Sequence, residues 1–137
     1  MTRFTAPGVA TLVLDSEGLS RWIERDRRTA ALIEAARRAG ARLVISANTV
    51  LEVAHPKVDR PRLRWLLSQV KVEPVSQDGA HKASALLIRA GMHGHQHALD
   101  ATVVEAALRQ THPVVVLTSD PGDIDRLSDH QVRTIPV

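Results

Sequence analysis

The chain has 137 residues, a size that suits one compact domain with a substantial hydrophobic core, and we expect a single domain over residues 1–137. Hydrophobic residues make up 44% of the chain and charged residues 24%, proportions that exclude a fibrous or disordered protein. Cysteine is absent, which excludes disulfides and thiolate metal sites, so any metal is bound through oxygen or imidazole.

Charge and hydropathy also bear on partners and location. The net charge is +3, and most basic residues are arginines in clusters that suit contact with phosphate groups, although solvated helix faces explain each cluster as well. Few aromatic residues are available for stacking bases. We find no signal peptide and no membrane-spanning stretch, and we therefore expect a cytoplasmic protein without membrane attachment.

The first half of the chain alternates strands with helices. The apolar run over residues 9–14 predicts a strand, and Leu19, Trp22 and Ile23 follow it at helical spacing. The second predicted helix covers residues 30–39, with Gly40 as its terminator. A strand is predicted over 42–45, followed by a helix that continues through Val53. Ser46 or Asn48 caps this helix, and Pro56 ends it. Pro61 begins the next predicted helix.

The second half continues this alternation. Its predicted segments are strands over 70–75, 113–117 and 132–135 and helices over 80–90, 98–108 and 124–127. Glu73 and Pro74 weaken the strand over 70–75, whereas three consecutive valines make 113–117 the strongest strand, which we place at the centre of the sheet. Short strands alternating with helices predict an α/β fold, in three α/β/α layers around a central parallel sheet.

Two acidic residues follow predicted strands. Asp15 ends the first strand, and Asp120 follows the strand with the three valines. Ligands in α/β folds bind beyond the carboxyl ends of the strands, so we expect both carboxylates in one crevice. A strand-end aspartate also commonly forms a turn, which is the structural alternative for each of them.

Two further acidic residues interrupt apolar helix patterns. Glu52 lies in Val50-Leu51-Glu52-Val53, and Asp100 lies in Leu99-Asp100-Ala101. An unpartnered charge is unfavourable in such surroundings. The structural alternatives are a capping box from Thr49 to Glu52 and a favourable helix-dipole position for Asp100. Four carboxylates in one crevice repel each other unless cations or protons neutralise them, and Mg²⁺ or Mn²⁺ matches an all-oxygen site.

The ordered set Asp15, Glu52, Asp100 and Asp120, each in its local context, resembles the acidic quartet of the PIN-domain family, and the likeness covers essentially the whole chain. The length and layout are similar to VapC toxins. The resemblance implies a Mg²⁺-dependent endoribonuclease that hydrolyses RNA with metal-activated water. It also implies a VapB-like antitoxin partner, which covers the acidic crevice and inserts an arginine there, and a homodimer.

Several residues remain as alternatives or additions to this quartet. Asp123 competes with Asp120 for the last position, and Ser16 and Thr118 are hydroxyl candidates beside the acids. His97 lies three residues before Asp100, but a polar surface loop explains the histidine-rich segment over 93–97 without a metal.

Two other classes of function compete with the nuclease hypothesis. One is a non-catalytic domain of the same fold that binds RNA or a partner, which the presence of all four acids disfavours. The other is phosphotransfer on Asp15. A dehalogenase-type phosphatase usually has a second aspartate two residues after the first, where this chain has Glu17. A receiver domain has its phosphorylated aspartate after the third strand, and the predicted third strand over 70–75 ends without one. Both comparisons disfavour phosphotransfer.

Overall fold

The computed structural model describes residues 8–137, which form five strands and seven helices. In chain order the elements are β1 Thr11–Leu14, α1 Ser16–Ile23, α2 Arg27–Arg38, β2 Arg42–Ser46, α3 Ala47–Glu52, α4 Arg60–Leu67, β3 Lys71–Glu73, α5 Gln77–Ala90, α6 Gly94–Leu108, β4 Val114–Thr118, α7 Pro121–Ser128 and β5 Arg133–Pro136. None of the helices in this described part of the chain has both the length and the apolar character needed to cross a membrane.

The five strands form one parallel sheet in the order β3-β2-β1-β4-β5. The central strand is β1, where Val13 pairs with Val44 on one side and Val116 on the other. The strand with the three valines, β4, is therefore an internal strand beside the centre. Since all strands run in the same direction, the segments that follow β1, β2 and β4 emerge at one edge of the sheet.

Alternating side chains divide the core into two apolar layers. Leu12 and Leu14 face a layer that includes Leu19, Leu32 and Leu66 from α1, α2 and α4. Val13 faces the opposite layer, which is built mainly from α5, α6 and α7. Both faces of the sheet are thus covered by helices, and the predicted three-layer α/β/α architecture is confirmed.

The main difference from the predicted elements concerns the histidine-rich segment. Residues 94–97 form a helical turn and not a loop, and α6 continues beyond them after a kink at His97, where φ is −125° and ψ is 15°. The predicted terminator Gly40 is confirmed, since it follows α2 with a φ of 91°. Gly91 ends α5 in the same way with a φ of 68°, and glycine adopts both values without strain.

A buried charge cluster explains why a glutamate can end the short edge strand β3. Glu73 is paired with Lys71 and Arg109, and Arg109 also donates from Nε to Glu105 at 2.7 Å. Glu73 and Glu105 are only 5% and 6% exposed, so these partners offset the loss of hydration of both carboxylates. Gly79 of α5 lies directly against this cluster.

Candidate functional site

Asp15 lies at the carboxyl end of β1 and connects the sheet to α1. Its backbone N–H donates to the Leu117 carbonyl at 3.1 Å, and its Oδ1 accepts from the Gly18 N–H at 2.9 Å, which caps α1. The residue is only 5% exposed. Burial raises the pKa of Asp15, while hydrogen bonds from the Thr118 hydroxyl and from backbone N–H groups act in the opposite direction.

Thr118 joins the ends of β1 and β4. It is the last residue of β4 and is fully buried. Its hydroxyl accepts the Asp120 backbone N–H at 2.9 Å and also lowers the pKa of Asp15. Thr118 is therefore close to one acidic side chain and bonded to the backbone of the next candidate.

Asp120 precedes α7 but does not use its side chain to cap that helix. It occupies the N-cap position without a side-chain capping hydrogen bond, and it is exposed. The turn-forming explanation therefore does not account for its carboxylate, which is left available at the edge of the sheet.

Glu52 is the last residue of α3, which follows β2 directly. Ser46 caps this helix by accepting the Asn48 N–H on its hydroxyl at 3.3 Å. The capping-box alternative for Thr49 and Glu52 is therefore wrong, because Thr49 lies inside the helix and not at its N-cap. The Glu52 carboxylate has no role at the start of α3.

The electrostatic environment of Glu52 links it to the other three acids. Loss of hydration raises the pKa of Glu52, and the negative charges of Asp100, Asp15 and Asp120 raise it further. The Ser16 hydroxyl lowers the pKa of Glu52. The structure thus brings the other three predicted acids within electrostatic range of Glu52.

Asp100 lies in α6, one turn after the kink, with its side chain 26% exposed. Burial raises the pKa of Asp100, and the charges of Asp120 and Asp123 raise it further, whereas His97 lowers it. Both candidates for the last acidic position, Asp120 and Asp123, therefore lie within electrostatic range of Asp100.

Asp123 and His97 form a compact group with Asp100. The His97 Nδ1 is 3.5 Å from an Asp100 carboxylate oxygen and 3.6 Å from an Asp123 carboxylate oxygen. One donor atom from each of the three residues lies within 4.8 Å of the other two. The spacing of His97 and Asp100 by three residues on a helix is the sequence signal for this contact.

A polar contact between α3 and α6 holds the helices that carry Glu52 and Asp100. Asn48 donates from Nδ2 to the Thr102 hydroxyl at 3.4 Å, and that hydroxyl donates to the Leu99 carbonyl at 2.7 Å. Neither Asn48 nor Thr102 was predicted to take part in the site, because their meeting depends on how the two helices cross.

The donor set fits a hard or borderline divalent cation. The His97 imidazole lies beside the Asp100 and Asp123 carboxylates, and acids that follow β1 and β4 lie within electrostatic range of those on α3 and α6. Burial raises the pKa of Asp15, Glu52 and Asp100, and nearby negative charges raise the pKa of Glu52 and Asp100 further. A positive ion placed among these groups would remove that repulsion, which is the arrangement expected of a metal centre.

No family model matches the sequence, and no curated protein matches it. A solved structure is similar in fold. It is the crystal structure of VapBC2 from Rickettsia felis bound to a DNA fragment from the VapBC2 promoter. The TM-score is 0.71 and the sequence identity is 14%. The match covers 93% of this chain and 98% of that chain. The similarity shows the fold, which is PIN-like.

Some arginines of the predicted basic clusters bind backbone carbonyl groups within the fold. Arg62 donates to the Trp22 and Ile23 carbonyls at 2.7 and 2.8 Å, at the carboxyl end of α1, and Arg28 donates to the Pro136 carbonyl at 2.8 Å. These two guanidinium groups stabilise the fold, so only part of the predicted basic surface remains to contact phosphates.

Proposed function

We propose that this chain is a metal-dependent endoribonuclease similar to the VapC toxins. The observation that carries the proposal is the convergence of Asp15, Glu52, Asp100 and Asp120 at the carboxyl edge of a PIN-like parallel sheet, where three of their pKa values are raised. A purely structural role explains this convergence poorly, because like charges in one place destabilise the folded chain.

The four carboxylates would hold Mg²⁺ or Mn²⁺, with Asp123 as the alternative to Asp120. The cation supplies Lewis-acid stabilisation of the phosphate and activation of water, which is how divalent ions promote phosphodiester hydrolysis. The hydroxyls of Thr118 and Ser16, which lower the pKa of Asp15 and Glu52 respectively, would help to position these two carboxylates.

The protein partner in this proposal is a VapB-like antitoxin. Support comes from the similarity in fold to a chain of the VapBC2 structure and from the acidic character of the crevice, which attracts a cationic side chain. An arginine from the partner would form charge-assisted hydrogen bonds with these carboxylates and exclude the metal. We also propose a homodimer, which light scattering of the purified protein measures directly.

Cleavage of a mixed RNA pool by the purified protein tests the nuclease proposal. The reactions contain Mg²⁺, Mn²⁺ or a chelator, and the variants are Asp15→Asn and Asp100→Asn. The matched control is Asp78→Asn, because Asp78 is exposed on α5 and pairs only at the surface with Lys82 at 3.0 Å. Circular dichroism establishes that every variant is folded.

We expect metal-dependent cleavage that the two site variants lose by about two orders of magnitude or more and that Asp78→Asn retains. Cleavage that persists in chelator, or in both folded site variants, would contradict the proposal. RNA binding without cleavage at any metal concentration would instead support the non-catalytic binding module.

A further inference from the structure

His97 is placed where its ring meets two carboxylates from different helices. It lies at the kink of α6, where its non-helical backbone angles separate the first turn from the rest of the helix. Asp100 follows on the same helix, and Asp123 comes from the first turn of α7. The side chain of His97 is 25% exposed, so small ions can reach it from solvent.

The distances within this group are not those of a hydrogen-bonded pair. The His97 Nδ1 lies 3.5 and 3.6 Å from the two carboxylate oxygens, whereas N–H···O hydrogen bonds are typically about 2.7–3.2 Å long. Two donor atoms bound to one ion at about 2.1 Å, with an angle of about 90–110° between them, lie roughly 3.0–3.4 Å apart. The observed separations are close to that range.

We propose that His97 is an imidazole ligand of the cation site, together with Asp100 and Asp123, and that it gives the site a preference for Mn²⁺ and Co²⁺ over Mg²⁺. Imidazole nitrogen suits transition metals, whereas Mg²⁺ prefers oxygen ligands and keeps several of its waters. This inference rests on the proposed function, and it changes the expected all-oxygen site into a mixed nitrogen and oxygen site.

Metal binding to the full chain without RNA tests the inference separately from catalysis. Calorimetric titration with MnCl₂, CoCl₂ and MgCl₂ gives three affinities, and the visible absorption spectrum of bound Co²⁺ reports its ligands. The variants are His97→Asn and His97→Gln. The control is His95→Asn, an exposed histidine two residues earlier in the same helical turn. Thermal unfolding establishes that each variant is folded.

We expect both His97 variants to weaken Mn²⁺ and Co²⁺ binding on the order of tenfold or more and to shift the Co²⁺ spectrum, with a change of less than about threefold for Mg²⁺. His95→Asn should match the parent protein. An equal loss for Mg²⁺ and Mn²⁺ would mean that His97 only orients the carboxylates, and unchanged affinities would mean that it takes no part. Either result would overturn the inference.

The proposed function fails on different results. If Asp100→Asn abolishes metal binding while His97→Asn leaves it intact, the metal-dependent nuclease stands and the histidine ligand is wrong. If the parent protein binds none of the three ions, both are wrong.

Discussion

Asp15 has two separable roles, and two substitutions distinguish them. Its carboxylate is a proposed metal ligand, and its Oδ1 accepts the Gly18 N–H at 2.9 Å as the N-cap of α1. Asp15→Asn removes the charge but keeps an oxygen that caps the helix, since asparagine is one of the best N-cap residues. Asp15→Ala removes both the charge and the cap. The affinity for metal should fall in both variants, whereas the stability of the folded chain should fall only in Asp15→Ala.

The size of the stability difference follows from these contacts. Replacing an N-cap residue by alanine costs about 1 kcal/mol, with a range of about 0.5–2 kcal/mol. For a chain of 137 residues this corresponds to a difference in Tm of roughly 3–5 °C between the two variants. Burial raises the pKa of Asp15, so the ionised carboxylate opposes folding at neutral pH. We therefore expect the metal-free Asp15→Asn variant to be at least as stable as the parent.

Thermal unfolding measures the relative stabilities of the parent and the two variants. It is followed by circular dichroism at pH 7 in the presence of a chelator. A titration with MnCl₂ in parallel measures the loss of metal binding. If Asp15→Ala unfolds at the same temperature as Asp15→Asn, the hydrogen bond to Gly18 does not contribute as argued. If the metal-free parent is clearly more stable than Asp15→Asn, the ionised carboxylate does not oppose folding.

Two further predictions concern pH and packing. The pKa of Asp100 is raised above the ordinary value of 3.8, because burial makes its ionisation less favourable in the folded state. The metal-free parent should therefore lose stability relative to Asp100→Asn as the pH rises above that value. Urea unfolding from pH 3.5 to 8 without metal measures both free energies of unfolding, and a parent that keeps or gains stability relative to the variant with rising pH would contradict the prediction. Gly79→Ala should destabilise the protein by about 1–3 kcal/mol, because its new Cβ would lie 2.6 Å from Glu105 Oε1. This carboxylate cannot easily move away, since Arg109 donates from Nε to its other oxygen, Oε2, at 2.7 Å. Gly122→Ala, where the new Cβ would meet no neighbouring group of residues 8–137 within 4 Å, is the control in the same unfolding assay, and equal midpoints would refute the packing argument.

The acids that follow strands were predictable from sequence for a simple reason. In a parallel sheet every strand ends at the same edge, so residues placed just after β1 and β4 must come close in space. Neither the size of the loops nor the crossing of helices enters this inference. Asp15 and Asp120 were therefore located by their positions along the chain alone.

The residues on helices were harder to place, since their orientation depends on tertiary packing. Glu52 fitted a capping box with Thr49 until the structure put Ser46 at the helix start. The sequence predicts a polar loop at His97, because a helix kink between Gly94 and Asp100 leaves no mark in a periodicity pattern. Local spacing suggested that His97 was near Asp100, but only the fold brings Asp123 to the same place.

The contrast between two acidic clusters supports the functional interpretation of one of them. Glu73 and Glu105 are also buried and close together, but Arg109 lies between them, so the chain supplies its own positive charge. At the sheet edge Asp15 and Asp100 have raised pKa values, and the groups that counteract the rise are hydroxyls, backbone N–H groups and His97. The chain neutralises the buried carboxylates of Glu73 and Glu105 with an arginine, but within residues 8–137 it places no arginine among the acids at the sheet edge. The acids at the sheet edge are therefore suited to bind a cation from solution.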